Sequence, residues 1–268
     1  MIRLTKMTND KALQEIDLNC DAGESFGPWP MGDDEALIPL MTSVSIACGA
    51  HAGDPLVMRR TLLLARAHGV AVGAHPGYPD LHGFGRRAMA LAPDEVEAWT
   101  LAQLGALDAI ARGVGVTLRH VKPHGALYNA AADDEALAEA IVRAVRAFDP
   151  ALALVARADS PMVEVARAGG LRVAEEAFAD RGYDSAGRLL SRTHTDSLLH
   201  SPAEAAVRAV VLLQTGELAT SDGVALRLRP QTLCIHSDTG GAAAIAAAVR
   251  AALVAAGIRL RPLYELAQ

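Results

Sequence analysis

The feature that most constrains the fold is an alternation of short apolar segments with longer amphipathic ones, repeated about seven times along the chain. The short segments have the length and β-branched content of strands, and the segments between them are too long for hairpin turns. Consecutive parallel strands need such crossovers. The pattern therefore predicts a parallel sheet, either closed as a β/α barrel or open with helices on both faces.

Helix and strand positions follow from the same pattern. Pairs such as Asp54-Pro55 and Ser201-Pro202 are typical of an N-cap followed by the first helical residue. A long helix is expected from Pro93 to about Arg112, another over 133–148, and a polar excursion over 180–200. Strands are predicted near 16–20, 44–48, 70–74, 118–121, 152–156, 171–174 and 233–236, with a short closing strand at 258–263.

Polar side chains follow nearly every predicted strand. They are Asp21, His51, His75, Lys122, His124, Asp159, His236 and Asp238. Both parallel folds build their sites at this edge. Residues from so many strands can meet only around a closed ring, so we predict an irregular, TIM-like barrel of seven strands.

Length and composition limit the possibilities further. We expect 268 residues to form an N-terminal extension (1–15) and one barrel domain (16–268). The net charge of −6 argues against a nucleic-acid partner. We predict a soluble cytoplasmic protein without a membrane segment, because no signal peptide or spanning segment is evident and the cysteines are odd in number without C-x-x-C spacing.

The first strand carries a row of polar side chains. Asp17, Asn19 and Asp21 alternate, so they share one face, and Glu24 follows in a glycine-containing turn. Such groups hold a hard cation, position a water or act as a general base. The alternative is that these groups cap the following loop or pair with Arg86, Arg87 or Arg181.

Two histidines occupy equivalent places after adjacent strands. His51 and His75 are flanked by glycines, which let a ligand approach the backbone. With Asp21 they form a plausible metal ligand set, although their spacing is no known metal signature. Each taken alone would more often be a structural histidine.

Lys122 and His124 end a strand in the segment His120-Val121-Lys122-Pro123-His124. An ammonium beside a titratable imidazole suits a developing oxyanion or a phosphoryl group. The alternative for Lys122 is an ion pair with a neighbouring carboxylate. A later segment, 236–241, precedes a helix and could receive an anion, but the chain has neither a Walker loop nor a dinucleotide fingerprint.

Longer motifs carry a resemblance to a known family. They are DLNCD (17–21), GESFG (23–27), IACG (46–49), HAGDP (51–55), GAHPGYPD (73–80), GFGRR (83–87), HVKPHGALY (120–128), FADR (178–181) and CIH (234–236). Over residues 16 to about 262, the chain resembles the LamB/YcsF family of 5-oxoprolinase A subunits, and the motifs follow one another in the order of that family. The resemblance implies a barrel related to the glycoside hydrolase/deacetylase group.

The resemblance also implies an activity. This is ATP-dependent opening of the lactam 5-oxoproline to L-glutamate, together with the B and C subunits of 5-oxoprolinase as partners. On that basis Asp17 or Asp21 would activate water, His75 or His124 would protonate the leaving nitrogen, and Lys122 would steady negative charge. A divalent cation, Mg²⁺, and a homo-oligomer are further expectations. The residues assigned to substrate binding are Asn19, Glu24, His51, His236 and Asp238.

Two other functions remain open at this point. One is a stand-alone metal-dependent amidohydrolase or deacetylase using Asp21, His51 and His75, and the other is a non-catalytic substrate-binding subunit. The chain departs from the family pattern at Ala50, where an aromatic residue is usual, at Ser237 and Gly240, and at 195–197. The first departures are expected to border the pocket, and the last to alter a partner surface.

Overall fold

Seven parallel strands close into a barrel in the computed structural model, which describes residues 13–268. The ring closes where Asp17 pairs with Thr232, and the predicted seven-stranded β/α barrel is confirmed. The barrel strands are β1 (Glu15–Ala22), β2 (Ser43–Ala47), β3 (Ala71–His75), β4 (Leu118–Val121), β5 (Ala153–Arg157), β6 (Arg172–Phe178) and β9 (Thr232–Ile235). The strands outside the ring are β7 (Glu217–Ala219), β8 (Ala225–Arg227) and β10 (Arg259–Leu260).

Helices connect the strands and pack around the ring. They are α1 (Asp34–Leu37), α2 (Pro55–Ala67), α3 (Pro93–Gly113), α4 (Gly125–Asp133), α5 (Glu135–Phe148), α6 (Pro161–Ala168), α7 (Pro202–Thr215), α8 (Ala242–Ala255) and α9 (Leu263–Leu266). The predicted caps at Asp54 and Ser201 are present, and each side chain accepts a backbone N–H bond from the first turn. None of the helices within 13–268 is long and apolar enough to cross a bilayer.

Three elements differ from the sequence prediction. The helix expected over 133–148 is α5, but a further helix that was not predicted, α4, precedes it, and Asp134 ends α4 and caps α5. β7 and β8 form an antiparallel hairpin that was not predicted. The short strand near the C-terminus, β10, pairs with the start of β1 outside the ring, so it does not close the barrel.

The N-terminal extension is only partly described. Residues 1–12 of the predicted 1–15 segment lie outside the described residues, while Leu13 donates its N–H to the Leu213 carbonyl and Glu15 begins β1. The prediction that residues 16–268 form a single domain stays a proposal.

Helix α9 closes the end of the barrel opposite the site. Leu263 packs on the small interior side chains of β5 and β6. Its backbone N–H donates to the Ser43 hydroxyl at 3.0 Å. Beyond α9, the backbone of Gln268 exchanges two hydrogen bonds with Val173 of β6. These contacts leave the opposite, carboxyl end of the strands as the mouth.

Candidate functional site

A cavity of about 270 Å³ opens at the carboxyl ends of the barrel strands. Asp21, His75, Lys122 and His236 reach it from four strand ends, as the strand-end argument predicted. The segment 189–192, within the polar excursion, forms part of its wall. Its size is close to the lower end of the range for small-molecule sites, about 300 to 1000 Å³.

Lys122 forms the charged floor of the cavity. Its Nζ lies 2.9 Å from Asp21 Oδ1 and 2.8 Å from Glu176 Oε1. The amide oxygen of Asn19 and the thiol of Cys234 complete its surroundings at 3.2 and 3.1 Å. The predicted ion pair of Lys122 is therefore present, and it lies inside the cavity lining.

The charge state of this floor follows from its partners. Burial disfavours the ammonium of Lys122, but the negative charges around it, that of Asp21 foremost, outweigh this effect and hold its pKa well above the ordinary value. Burial likewise opposes ionisation of Asp21, but His75 and Lys122 hold its pKa well below the usual range. An ammonium and a carboxylate therefore face each other at neutral pH.

Glu176 is a residue of this floor that sequence reasoning missed. It lies inside β6, is fully buried, and accepts a 3.0 Å hydrogen bond from Asn19 besides contacting Lys122. The predicted strand ended at 174, whereas β6 runs to Phe178, so the available signal was a pair of glutamates between apolar residues just past that end. A buried carboxylate needs a partner.

A second missed residue, Asp180, orients His236. Nδ1 of His236 lies 3.2 Å from both carboxylate oxygens of Asp180, which also accepts the His236 backbone N–H at 3.1 Å. The imidazole stacks on Phe178, with ring centroids 5.1 Å apart. Because Nδ1 is engaged, Nε2 is the ring nitrogen available to the cavity. A carboxylate-oriented imidazole of this kind suits general acid–base catalysis.

Four buried side chains beside the cavity could hold a metal ion: Glu24, His51, His75 and His124. Nδ1 of His124 lies 3.0 Å from Nε2 of His75, and Glu24 Oε1 lies 3.5 Å from the same His124 atom. The rings of His51 and His124 stack with centroids 3.8 Å apart. The predicted ligand Asp21 instead groups with Cys234 and His236, although its Oδ2 is 3.4 Å from His75 Nε2.

Burial determines the protonation of this cluster. It raises the pKa of Glu24 well above the ordinary value, with the charges of Asp21 and Asp238 acting in the same direction. It lowers the pKa values of His51 and His124 well below theirs, assisted by the neighbouring histidines. Without a bound cation, His51 and His124 are therefore neutral.

Arginines line the outer part of the cavity. Arg86 and Arg192 both pair with Asp238, at 2.7 and 3.3 Å, and Arg181 donates to backbone carbonyls of the excursion. Neither Arg86 nor Arg181 pairs with the acidic row of β1, as the alternative interpretation of that row required, and Arg87 instead pairs with Asp80. Asp238 thus holds guanidinium groups at the rim and does not itself line the cavity.

Several predicted residues do not reach the cavity lining. Asn19 supports Lys122 from below, while His120 is buried in the interior with its Nε2 3.1 Å from the Ser45 hydroxyl. Asp159 lies elsewhere, beside Arg157. The departures from the family pattern at Ala50, Ser237 and Gly240 are all absent from the lining, and Ser237 instead donates to Glu24 at 2.9 Å.

Asp17 lies deeper in the barrel than the cavity. It accepts hydrogen bonds from the hydroxyls of Thr42, Ser43 and Thr232, at 2.7, 2.7 and 2.5 Å. Burial raises its pKa from 3.8 to about 6, despite these hydrogen bonds. We therefore leave Asp17 out of the proposed chemistry, because its oxygens are occupied and it is remote from the lining.

The raised pKa of Asp17 makes a testable contribution to stability. The folded state takes up a proton that the unfolded chain releases, so the contribution is fully present below pH 3.8 and is lost as pH rises through about 6. The difference is worth about 3 kcal/mol. We expect Asp17→Asn to flatten the fall in unfolding free energy between pH 4 and pH 7, measured by urea denaturation. Asp94→Asn, on an exposed side chain, is the control that should leave this fall unchanged.

Together these features define a β/α-barrel protein whose acid, imidazole and ammonium groups converge at the carboxyl ends of its strands, where barrel enzymes carry their sites. The sequence profile of the LamB/YcsF family matches residues 16–268. The chain belongs to the LamB/YcsF family, as its motifs predicted.

Relatives and a solved structure agree with this assignment. The chain is 55% identical to the A subunit of 5-oxoprolinase from Chloroflexus aggregans, covering 92% of this chain and 98% of that one. It is 53% identical to the protein of the same name from Methylococcus capsulatus, covering 91% and 94%. The crystal structure of a lactam utilization protein from Thermus thermophilus superposes with a TM-score of 0.87 at 48% identity, covering 92% of this chain and 99% of that one.

Proposed function

We propose that this chain is the A subunit of an ATP-dependent 5-oxoprolinase, which opens the lactam of 5-oxoproline to L-glutamate together with the B and C subunits. The observation that carries the proposal is the Lys122 ammonium at the floor of a small cavity. It occurs in a chain about half identical, over nearly all its length, to proteins named as the A subunit of 5-oxoprolinase.

The cavity suits a small anionic lactam. Arg86, Arg181 and Arg192 line its outer part, where a guanidinium can bind a carboxylate through two parallel hydrogen bonds. Placed with its carboxylate at this rim, the substrate directs its ring towards Lys122. The size of the cavity supports binding of the lactam but not of the whole nucleotide. ATP would therefore reach into the cavity only with its terminal phosphate.

Activation of the carbonyl is the first chemical requirement. In the proposed reaction the carbonyl oxygen of the lactam takes the γ-phosphoryl group of ATP. Water then attacks the carbonyl carbon, and the C–N bond breaks. A second water releases phosphate from the resulting acyl phosphate. Lys122 stabilises negative charge on the oxygen or phosphoryl group, and the ionised Asp21 positions the attacking water.

Protonation of the leaving nitrogen is the second requirement. We assign it to His236, whose Nδ1 faces Asp180 and whose Nε2 is available to the cavity. His75 and His124 suit the role less well, because their inner nitrogens face each other and their outer ones face backbone carbonyls.

ATP, the partner subunits and the compartment belong to the proposal as well. The chain has no Walker loop, so part of the nucleotide site would come from one of the two partner subunits, with Mg²⁺ accompanying the ATP phosphates. The free cysteines Cys20, Cys48 and Cys234 are buried, which favours a cytoplasmic protein.

A metal-dependent hydrolase is the rival function, and the histidine cluster beside the cavity favours it. Such an enzyme would act without ATP. The two functions therefore differ in a measurable cofactor requirement.

Reconstitution separates these functions. We expect glutamate formation from 5-oxoproline only when this chain, the B and C subunits and ATP are all present, with one ADP formed for each glutamate. Glutamate would be measured by chromatography and ADP by a coupled assay. Glutamate formation by this chain alone without ATP would support the rival, and no glutamate from the complete mixture would contradict the proposal.

A further inference from the structure

The histidine cluster contains a contact that two neutral imidazoles cannot make favourably. Nδ1 of His75 lies 2.7 Å from the Lys122 carbonyl, and Nε2 of His124 lies 2.8 Å from the Phe84 carbonyl. A carbonyl oxygen only accepts, so both of these nitrogens carry hydrogen. In a neutral imidazole the other nitrogen then carries a lone pair. The two lone pairs face each other across 3.0 Å, which calls for a cation between them, either a proton or a metal ion.

Two further buried groups have donor atoms without hydrogen-bond partners at the same place. Neither ring nitrogen of His51 has a partner among residues 13–268, and the same holds for Oε1 of Glu24. His51 is fully buried, so these orphaned nitrogens carry a desolvation cost that a ligand would offset. Nε2 of His51 lies 3.8 Å from Glu24 Oε1, beyond hydrogen-bond range.

The separations of these donors suit a single metal ion. Four donors placed tetrahedrally at about 2.0–2.1 Å from an ion are roughly 3.3 Å apart. Three of the six separations, at 3.0, 3.5 and 3.8 Å, bracket that value, and all four donors lie within 4.8 Å of one another. Backbone carbonyls on the outer nitrogens are also the usual means of orienting metal-binding histidines.

Two glycines let the backbone of the surrounding loops approach these rings closely. A Cβ on Gly77 would lie 2.7 Å from His51 Nδ1, and one on Gly85 would lie 2.7 Å from the His124 ring. Gly85 also has a φ of +64°, a conformation that favours glycine. The stacked imidazoles are therefore held in place by the backbone before any ion binds.

We infer that Glu24, His51, His75 and His124 bind one divalent transition-metal ion of the Zn²⁺ class. Three imidazoles and one carboxylate are donors that such ions prefer, whereas Mg²⁺ prefers oxygen. This set replaces the predicted Asp21, His51 and His75, since Asp21 is paired with Lys122. The inference rests on donor geometry and stands apart from the proposed lactam chemistry.

Metal content tests the inference directly. The full chain would be loaded with Zn²⁺, dialysed, and measured by elemental mass spectrometry. We expect about one Zn²⁺ per chain, and a Kd raised at least about 100-fold in His51→Ala and Glu24→Gln. His68→Ala, at an exposed histidine outside the cluster, is the matched control and should bind as tightly as the unchanged chain.

Co²⁺ substitution gives a readout independent of activity. A tetrahedral Co²⁺ site absorbs strongly in the visible range, and this band should be lost in Glu24→Gln, a variant that can still accept the hydrogen bond from Ser237. Less than a tenth of an equivalent of Zn²⁺ in the loaded chain would overturn the inference, leaving a shared proton between His75 and His124. Zn²⁺ binding that His51→Ala and Glu24→Gln do not weaken would also overturn it. Neither result depends on whether the chain opens a lactam.

Discussion

Lys122→Met is expected to lower glutamate formation in the reconstituted complex by about 100- to 1000-fold. Methionine keeps much of the volume of the side chain but removes the ammonium that Asp21 and Glu176 hold at the cavity floor. The loss should fall on kcat, because the ammonium is needed most in the transition state, where negative charge develops on the oxygen or phosphoryl group. The measurement is steady-state turnover of 5-oxoproline by the three-subunit complex.

Stability needs a control of its own in this experiment. Removing one member of a buried ion pair costs about 3–5 kcal/mol, because its partners are left uncompensated. The double variant Lys122→Met/Glu176→Gln removes one charge of each sign and should recover much of that loss while staying inactive. Cys234→Ala, which removes only a 3.1 Å contact to Nζ, should remain active. Near-normal turnover by a folded Lys122→Met variant would remove Lys122 from the mechanism.

Asp180→Asn is expected to lower kcat by about 100-fold or more, within the range for loss of general acid–base catalysis. The amide cannot hold the His236 imidazole as the carboxylate does, so Nε2 no longer presents its proton to the leaving nitrogen. Asp180 is therefore a positioning residue that acts through His236. Because it does not touch the substrate, KM should change by no more than a few fold.

Thr239→Val provides the matched comparison for Asp180. It removes the hydroxyl that donates to Asp180 at 3.0 Å but leaves the carboxylate and its contact with His236. We expect its kcat to remain within a few fold of the unchanged chain. Equal losses in both variants, or a loss confined to KM, would show that Asp180 serves packing alone.

The barrel itself followed from sequence because its signals are local. Strand length, crossover length and caps such as Asp54 each depend on a few neighbouring residues. The missed helix α4 shows the limit of such signals. It begins at Gly125, directly after the segment that ends at His124, and no side-chain cap marks its start.

The site was predictable to the extent that it lies at strand ends. Lys122, His75 and His236 reach the cavity because parallel strands share one carboxyl edge. Glu176 and Asp180 were missed because their partners are distant in sequence: Glu176 meets Asn19, 157 positions away. The depth of Asp17 could not be predicted from the sequence. The alternation of a strand shows that a side chain points into the barrel, but not how far along the barrel axis it lies.

The closed end of the barrel has a consequence for molecular traffic. Since α9 and the last residues block the end opposite the site, the lactam, the water and the glutamate share one passage at the mouth, as far as residues 13–268 are concerned. A partner protein seated over that passage would control both arrival and departure. Catalysis in such a complex would proceed one molecule at a time, with each product leaving before the next substrate enters.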